Sequence, residues 1–196
     1  MKIILASKSP RRRELLAQLY RDFDIITEET DEALPEGVHP SVGVSVLAER
    51  KGRAVLDKLI REGGYTNDML IISSDTLVEL NGKALGKPRD EADAHAMLCE
   101  LSGNCHNVHT GIAVHFGGRV ISDTATTAVR FREITDAEIC EYIRSGEPMD
   151  KAGSYGIQGL GGAFVSEITG DFDTVVGLSV ALLRRLIAKI TEGDAV

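Results

Sequence analysis

The chain has few of the features that mark several common classes of protein. Basic residues are outnumbered, with 22 Lys and Arg against 30 Asp and Glu and a formal net charge of -8. This balance argues against a nucleic-acid or anionic-membrane surface, because such surfaces need an extended basic field. Any anion site must therefore be local, and we expect no nucleic acid and no membrane among the partners.

Long hydrophobic runs are also absent. No stretch approaches the roughly 20 apolar residues of a membrane span, and the opening "MKIIL" has no apolar leader region. We therefore expect a cytoplasmic protein. Its 196 residues, 43% of them hydrophobic, suffice for a substantial core, so we expect one domain over residues 1–196 with room for two lobes.

Cysteine is scarce. The three cysteines are Cys99, Cys105 and Cys140, and none belongs to a CxxC pair. An odd number without that spacing argues against a disulfide framework or a zinc site. We expect the three thiols to be small core residues.

Strand and helix patterns alternate along the chain. "KIIL" predicts a strand, the segment after Ser9 a helix, and "FDIIT" a second strand. The later patterns are a helix in "VSVLAERKGRAVLDKLI", a buried strand in "MLIISSD", a hairpin around Asn81-Gly82, a helix from about Asp90 to Gly103, strands "HNVHTGIAVHF" and "RVISDTATTAVRF", a helix from a Thr135/Glu138 capping box to about Arg144, strand "AFVSEIT" and helix "LSVALLRRLIAKI". We therefore predict an α/β fold with a mixed sheet.

The start of the first helix has an unusual charge. Ser9 is a good N-cap and Pro10 a good first residue, but three arginines, residues 11–13, follow in the first turn. A helix N-terminus already carries about half a positive charge, so these arginines add repulsion unless an anion binds there. A strand-to-helix turn with free N–H groups is a place where phosphates bind, and arginine pairs with phosphate oxygens. The alternative is a solvated basic turn.

Lys51 lies on the stripe of the second helix that should be buried, together with Leu47, Ala48 and Val55. Its ammonium group either reaches solvent along an apolar stem or enters a charged site.

Asp75 closes the apolar segment "MLIISSD". In α/β sheets the carboxyl ends of strands line the ligand crevice, so an acid there is a candidate metal ligand or general base. The alternative is a turn-forming Asp before Thr76.

Two further segments have two readings each. The glycine-rich run "AGSYGIQGLGG", residues 152–162, permits close approach of the backbone to a ligand, or forms a flexible structural loop. The acidic run of Glu28, Glu29, Asp31 and Glu32 is typical of a solvated loop, although one of its members could hold a cation.

Together, six segments resemble the Maf family of nucleoside triphosphate pyrophosphatases nearly end to end. They are "ASKSPRR" at 6–12, "AERKGRA" at 48–54, "SSDTLV" at 73–78, "GKP" at 86–88, "LSGNCHNVHTG" at 101–111 and "DKAGSYGIQGLGG" at 150–162. "SSDT" and "GIQG" resemble the branch that acts on dTTP and UTP. Ser74 and Gly52 depart from the usual alanine, and we expect neither change to alter the chemistry.

The resemblance implies hydrolysis between the α- and β-phosphates, dependent on a divalent cation, Mg²⁺ or Mn²⁺. It also implies an elongated mixed β-sheet with flanking helices, similar to that of inosine triphosphate pyrophosphatases, with the active site in a cleft between two lobes. Homodimers are common in such proteins. The substrate is then a nucleoside triphosphate, either dTTP, UTP or a modified pyrimidine nucleotide.

The resemblance also implies roles for particular residues. Asp75 is the proton acceptor or a metal ligand, Glu32 is its metal partner, and Lys87 belongs to the catalytic group. Substrate-binding and specificity residues are Ser7, Ser9, Arg11, Arg12, Lys51, Thr76 and Gln158. The rival hypothesis is a nucleotide-binding regulator of cell division and septum formation with little or no turnover.

Overall fold

The computed structural model describes residues 1–192, in which strands and helices alternate. The strands are β1 (Lys2–Leu5), β2 (Asp24–Ile25), β3 (Met69–Leu80), β4 (Lys83–Leu85), β5 (Cys105–Phe116), β6 (Arg119–Phe131) and β7 (Val165–Thr169). The α-helices are α1 (Pro10–Ala17), α2 (Pro40–Arg61), α3 (Glu91–Leu101), α4 (Asp136–Arg144), α5 (Phe172–Val176) and α6 (Val180–Thr191). Short 3-10 segments span Glu147–Asp150, Ala152–Ser154 and Leu160–Phe164.

The strands form one mixed sheet in the order β2-β1-β3-β5-β6-β7, and β4 pairs with β3. β1 is parallel to both β2 and β3. The β3–β4 and β6–β7 pairs are antiparallel. The α/β prediction with a mixed sheet and helices is therefore confirmed. No helix within residues 1–192 combines the length and the apolar character needed to cross a membrane.

The chain divides into two compact units. The first contains Met1–Asp75, Thr110–Ala125 and the chain from Gly177 onward, and the second contains Thr76–His109 and Thr126–Val176. In the first unit, α2 packs Val55 and Leu59 against Ile4 of β1 and Ile71 of β3. Each fully buried aliphatic side chain of this kind contributes roughly 1.5–3 kcal/mol. This packing fixes α2, which carries Lys51, against β3, which carries Asp75.

Local capping and turn signals correctly located several elements. Ser9 caps α1 and accepts a hydrogen bond from the Arg12 N–H, and Thr135 and Glu138 form the expected capping box. The β3–β4 turn occurs at Asn81 and Gly82, both with positive φ. These signals depend on neighbours in sequence, which is why a local pattern suffices to find them.

Other boundaries differ from the prediction. The strand predicted at "FDIIT" has only two residues, and the residues before β7 form a 3-10 turn at Leu160–Phe164. α2 begins at Pro40 rather than Val44, because Pro40 fills its first position and His39 caps it. All three cysteines are exposed, so the expectation that they are core residues is wrong.

The core of the second unit surrounds a buried histidine. His106 is 2% exposed, and its ring lies edge-on to Phe131 with 4.9 Å between centroids. Its Nε2 lies 2.9 Å from the hydroxyl of Tyr155. Burial lowers the pKa of His106 from 6.5 to about 4. The histidine is therefore neutral in the folded protein at neutral pH.

We expect acid to destabilise the protein through His106. Below pH 6.5 the unfolded chain binds a proton that the folded chain excludes until the pH nears 4, so the free energy of unfolding falls across this window. The expected loss is about 2–3 kcal/mol between pH 6.5 and about 4.5, measured by urea unfolding at each pH. His106→Gln should flatten this dependence. An equal slope in both proteins would assign the acid sensitivity to other groups.

Candidate active site

The loop between β1 and α1 holds three polar side chains together. The Ser7 hydroxyl accepts a hydrogen bond from the Ser9 N–H at 3.2 Å and another from Arg12 Nη1 at 3.4 Å. Ser9 caps the helix that begins at Pro10. The loop and the first turn of α1 therefore present hydroxyl groups and a guanidinium group around one helix N-terminus.

Arg12 is anchored from a distant part of the chain. Its Nε donates to the carbonyl of Gly177 at 2.9 Å, and the Ser74 hydroxyl donates to the same carbonyl at 2.9 Å. The pKa of Arg12 is lowered on balance, mainly by burial and also by the neighbouring charge of Arg11. The negative charges of Asp75 and Glu32 act in the opposite direction and raise it. Arginine keeps its charge in proteins, so a fixed cation faces two acids from this turn.

Lys51 joins the two acids named in the sequence analysis. Its Nζ lies 2.5 Å from Asp75 Oδ1 and 2.8 Å from Glu32 Oε1. The Lys51 and Asp75 side chains are only 15% and 13% exposed, whereas Glu32 is 58% exposed. The Lys51 ammonium therefore lies in a charged site, and the reading in which it reaches solvent along its stem does not fit this geometry.

Asp75 does not end a strand, which corrects the expectation. β3 continues unbroken to Leu80, so Asp75 and Thr76 both lie within it and form no turn. The parallel pairing with β1 does end nearby, at Leu5 and Ile72, and beyond it β3 pairs with β4. Asp75 thus lies three residues past the carboxyl end of the parallel pair, where a ligand crevice is expected.

The packing of α2 on β3 leaves no space for a side chain at Gly52. A Cβ there would lie 2.5 Å from His115 Nε2 and 2.6 Å from Ser73 Oγ. The Ser73 hydroxyl also donates to the carbonyl of Ala48 at 2.7 Å, which ties the strand to the helix. Glycine at this position therefore has a packing reason that helix propensity alone did not reveal.

Asp75 and Glu32 together fit a divalent metal ion. Their oxygens already converge on one cation, the ammonium of Lys51. Mg²⁺ is commonly held by one or two carboxylates together with substrate phosphates and water. The two acids therefore fit an ion of this kind.

The remaining residues from the sequence analysis lie in the second unit. Thr76 follows Asp75 in β3 and is half-buried. Lys87 is exposed in the connection between β4 and α3, and Gln158 is exposed in the glycine-rich loop. The first unit thus brings together Ser7, Ser9, Arg11, Arg12, Glu32, Lys51 and Asp75.

The glycine-rich loop is held by Glu147, a residue that the sequence analysis missed. The Glu147 carboxylate accepts hydrogen bonds from the N–H groups of Leu160 at 2.9 Å and Gly161 at 3.2 Å, and from the Tyr142 hydroxyl at 2.9 Å. Burial would raise the pKa of Glu147, but these donors lower it on balance. A Cβ at Gly159 would collide with this carboxylate.

Comparison with known proteins decides the family. The sequence profile of the family described as "Maf-like protein" matches residues 2–190. The chain belongs to the Maf family. Among its relatives, the Clostridium novyi protein named dTTP/UTP pyrophosphatase is 47% identical over 95% of this chain and 96% of its own length.

Other relatives of the Maf chain carry the same name. The Desulfitobacterium hafniense dTTP/UTP pyrophosphatase is 45% identical over 95% of this chain and 84% of its own. The Thermococcus gammatolerans protein of that name is 44% identical over 94% of each. Among solved structures, the Staphylococcus aureus Ham1 protein aligns over 96% of this chain and 90% of its own, with 15% identity and a TM-score of 0.49.

Proposed function

We propose that this Maf chain hydrolyses dTTP and UTP, and modified pyrimidine nucleotides of the same shape, to the nucleoside monophosphate and pyrophosphate. The observation that carries the proposal is the cluster in which Lys51 contacts both Asp75 and Glu32, in the same unit as the Ser7–Arg12 turn. A cationic turn, a lysine with only 15% side-chain exposure and an acid pair match a polyanionic substrate and its metal. The names of the relatives supply the substrate class.

In this proposal the cationic and hydroxyl groups bind the triphosphate. These groups are Ser7, Ser9, Arg11, Arg12, Lys51 and Lys87. Lys51 leaves its carboxylate partners for phosphate oxygens when substrate binds. The repulsion among the cations of the α1 turn is then relieved by the anion for which the turn is preorganised.

Asp75 accepts the proton of the attacking water. The water oxygen bonds to phosphorus, the bond between the α-phosphate and the bridging oxygen to the β-phosphate breaks, and pyrophosphate leaves. Asp75 and Glu32 hold a divalent ion, Mg²⁺ or Mn²⁺, which when bound neutralises phosphate charge as a Lewis acid. Activity should therefore disappear in EDTA and return when either ion is added.

The rival function, a nucleotide-binding regulator of division with little turnover, predicts a different result. Incubation with pure dTTP and Mg²⁺ or Mn²⁺ separates the two. Pyrophosphate that accumulates over many turnovers supports the enzyme. Tight nucleotide binding without product supports the regulator.

We place the enzyme in the cytoplasm, with the homodimer as its expected assembly.

We expect Gln158 to contribute to base choice. Thymine and uracil present an acceptor at O4 beside a donor at N3, and a glutamine amide offers one donor and one acceptor in return. A wrong base leaves buried polar groups unpaired, at about 1–3 kcal/mol for each. The expected kcat/KM for dTTP and UTP exceeds that for CTP and GTP by roughly tenfold or more. Gln158→Ala should reduce this difference in kcat/KM, mainly by lowering kcat/KM for dTTP and UTP.

Glu147→Gln tests whether a fixed loop is needed for that choice. A free amide can flip to match cytosine, so Gln158 discriminates only while the loop holds its orientation. Glutamine at position 147 replaces one accepting oxygen by a donor and breaks part of the contact with Leu160, Gly161 and Tyr142. We expect the ratio of kcat/KM for dTTP to kcat/KM for CTP to fall in Glu147→Gln, although Gln158 itself is unchanged. Comparable kcat/KM values for dTTP, CTP and GTP in the unmutated enzyme would contradict its assignment to the branch of the family that acts on dTTP and UTP.

A further inference from the structure

Helices α3 and α4 of the second unit bring together side chains that the proposed reaction does not use. His95 Nε2 lies 2.7 Å from Asp136 Oδ1, and Cys140 Sγ lies 3.9 Å from Asp136 Oδ2. One ligand atom from each of these three residues lies within 4.8 Å of the other two. Asp136 and Cys140 are four positions apart on α4, so both project from the same helix face.

The spacing of these atoms suits a transition-metal ion. Around a tetrahedral zinc ion, ligand atoms lie about 3.3–3.8 Å apart, because the metal–ligand bonds are about 2.0–2.3 Å long. His95 and the two α4 side chains need only small rotations to reach such distances. Because His95, Asp136 and Cys140 are at most partly buried, these rotations meet little steric resistance.

Cys99 completes the arrangement from the other side of the imidazole ring. Its Sγ lies 3.6 Å from His95 Nδ1, one turn along α3. Metal-binding histidines characteristically donate their second ring N–H to a neighbouring acceptor, which fixes the tautomer. In the tautomer whose Nδ1–H donates to the Cys99 sulfur, the Nε2 lone pair lies on the side of Asp136.

We propose that His95, Asp136 and Cys140 bind one zinc-like divalent ion, with water as the fourth ligand and Cys99 as a positioning residue. Thiolate, imidazole and carboxylate together favour zinc over magnesium or calcium. The ion would cross-link α3 to α4. The sequence spacing gave no zinc pattern because the ligands come from two helices, and His95 and Asp136 are 41 positions apart.

The Asp136 carboxylate contacts the imidazole and one thiol of this cluster. Within residues 1–192, Asp136 forms no ion pair with a lysine or arginine, and its partners are His95 and Cys140. A divalent ion would therefore bind this carboxylate without displacing a lysine or arginine.

Cobalt is the probe for this site, because a thiolate bound to Co²⁺ gives a charge-transfer band in the near ultraviolet. All three cysteines lie in the second unit, whereas Asp75 and Glu32 lie in the first and offer no sulfur. A thiolate band therefore reports on a cysteine site and not on the catalytic metal. The experiment titrates the metal-free, reduced full-length protein with Co²⁺ and then with Zn²⁺.

The three single thiol removals form a matched set. We expect the unmutated protein and Cys105→Ser to show the band at one equivalent of Co²⁺, and Zn²⁺ to bleach it, since zinc binds such sites more tightly. Cys99→Ser should keep the band but bind Co²⁺ more weakly, because the sulfur that positions His95 is lost. Cys140→Ser should lose the band, and His95→Gln should bind Co²⁺ at least tenfold more weakly. Zn²⁺ should raise Tm in the unmutated protein and not in Cys140→Ser. No band in the unmutated protein, or an unchanged band in Cys140→Ser, overturns the proposal.

Discussion

Asp75→Asn should lower kcat for dTTP by at least ~10²-fold, the usual contribution of a general base. The substitution keeps the shape of the side chain and removes its ability to accept a proton. It also removes one of the two carboxylates that contact Lys51, so metal binding should weaken as well. Steady-state kinetics at saturating Mg²⁺ or Mn²⁺, with circular dichroism to check the fold, measures the effect.

Asp57→Asn is the matched control for Asp75→Asn. Asp57 is an exposed aspartate on α2 whose Oδ1 lies 3.2 Å from Arg53 Nε, so its loss also removes a carboxylate from an ion pair. We expect its kcat to stay within about twofold of the unmutated enzyme, because exposed pairs contribute little. A folded Asp75→Asn protein with near-normal turnover would mean that another residue acts as the general base. Glu32→Gln would then be the next variant to measure.

Lys51→Met should lower kcat/KM by about 10–100-fold, because a charge-assisted hydrogen bond to phosphate contributes about 1.5–3 kcal/mol. Methionine keeps the length and the apolar stem, so only the ammonium is lost. The free energy of unfolding should also fall, since the poorly exposed carboxylate of Asp75 loses its 2.5 Å partner. Kinetics and urea unfolding of the same preparation measure both effects.

Lys58→Met separates the site from a general loss of charge on α2. Lys58 lies on the same helix and forms an ion pair with Glu28 at 3.1 Å, but it contacts neither Asp75 nor Glu32. We expect near-normal kcat/KM for this variant. Full activity and raised stability in Lys51→Met would instead mean that the lysine only extends along the surface to solvent.

Much of the architecture could be predicted because its signals are local. The Asn81-Gly82 turn and the Thr135/Glu138 cap each depend on residues within three positions of one another. The sequence predicted that Asp75 ends a strand, but β3 runs on to Leu80, and only its parallel pairing with β1 ends nearby, at Ile72. Sequence periodicity finds a strand but does not show where its partner strand changes.

The site partners that sequence missed are separated by long stretches of chain. Arg12 and Ser74 share the carbonyl of Gly177, and the first of these contacts spans 165 residues. Backbone carbonyls carry no sequence signal, so no motif marks this one. Glu147 belongs to no recognisable sequence pattern either. Its carboxylate accepts a hydrogen bond from Leu160, 13 positions away, and only the folded path of the chain brings the two together. The exposure of Cys99 and Cys140 likewise depends on which helix faces stay uncovered, whereas Cys105 lies at the exposed start of β5.

The position of bond cleavage tests the central claim most directly. Phosphorus NMR of dTTP incubated with the unmutated protein and Mg²⁺ or Mn²⁺ distinguishes the products without coupling enzymes. We predict resonances of dTMP and pyrophosphate in equal amounts, growing together and absent in EDTA. Resonances of orthophosphate and dTDP, or dTTP that stays intact while bound, would contradict the account.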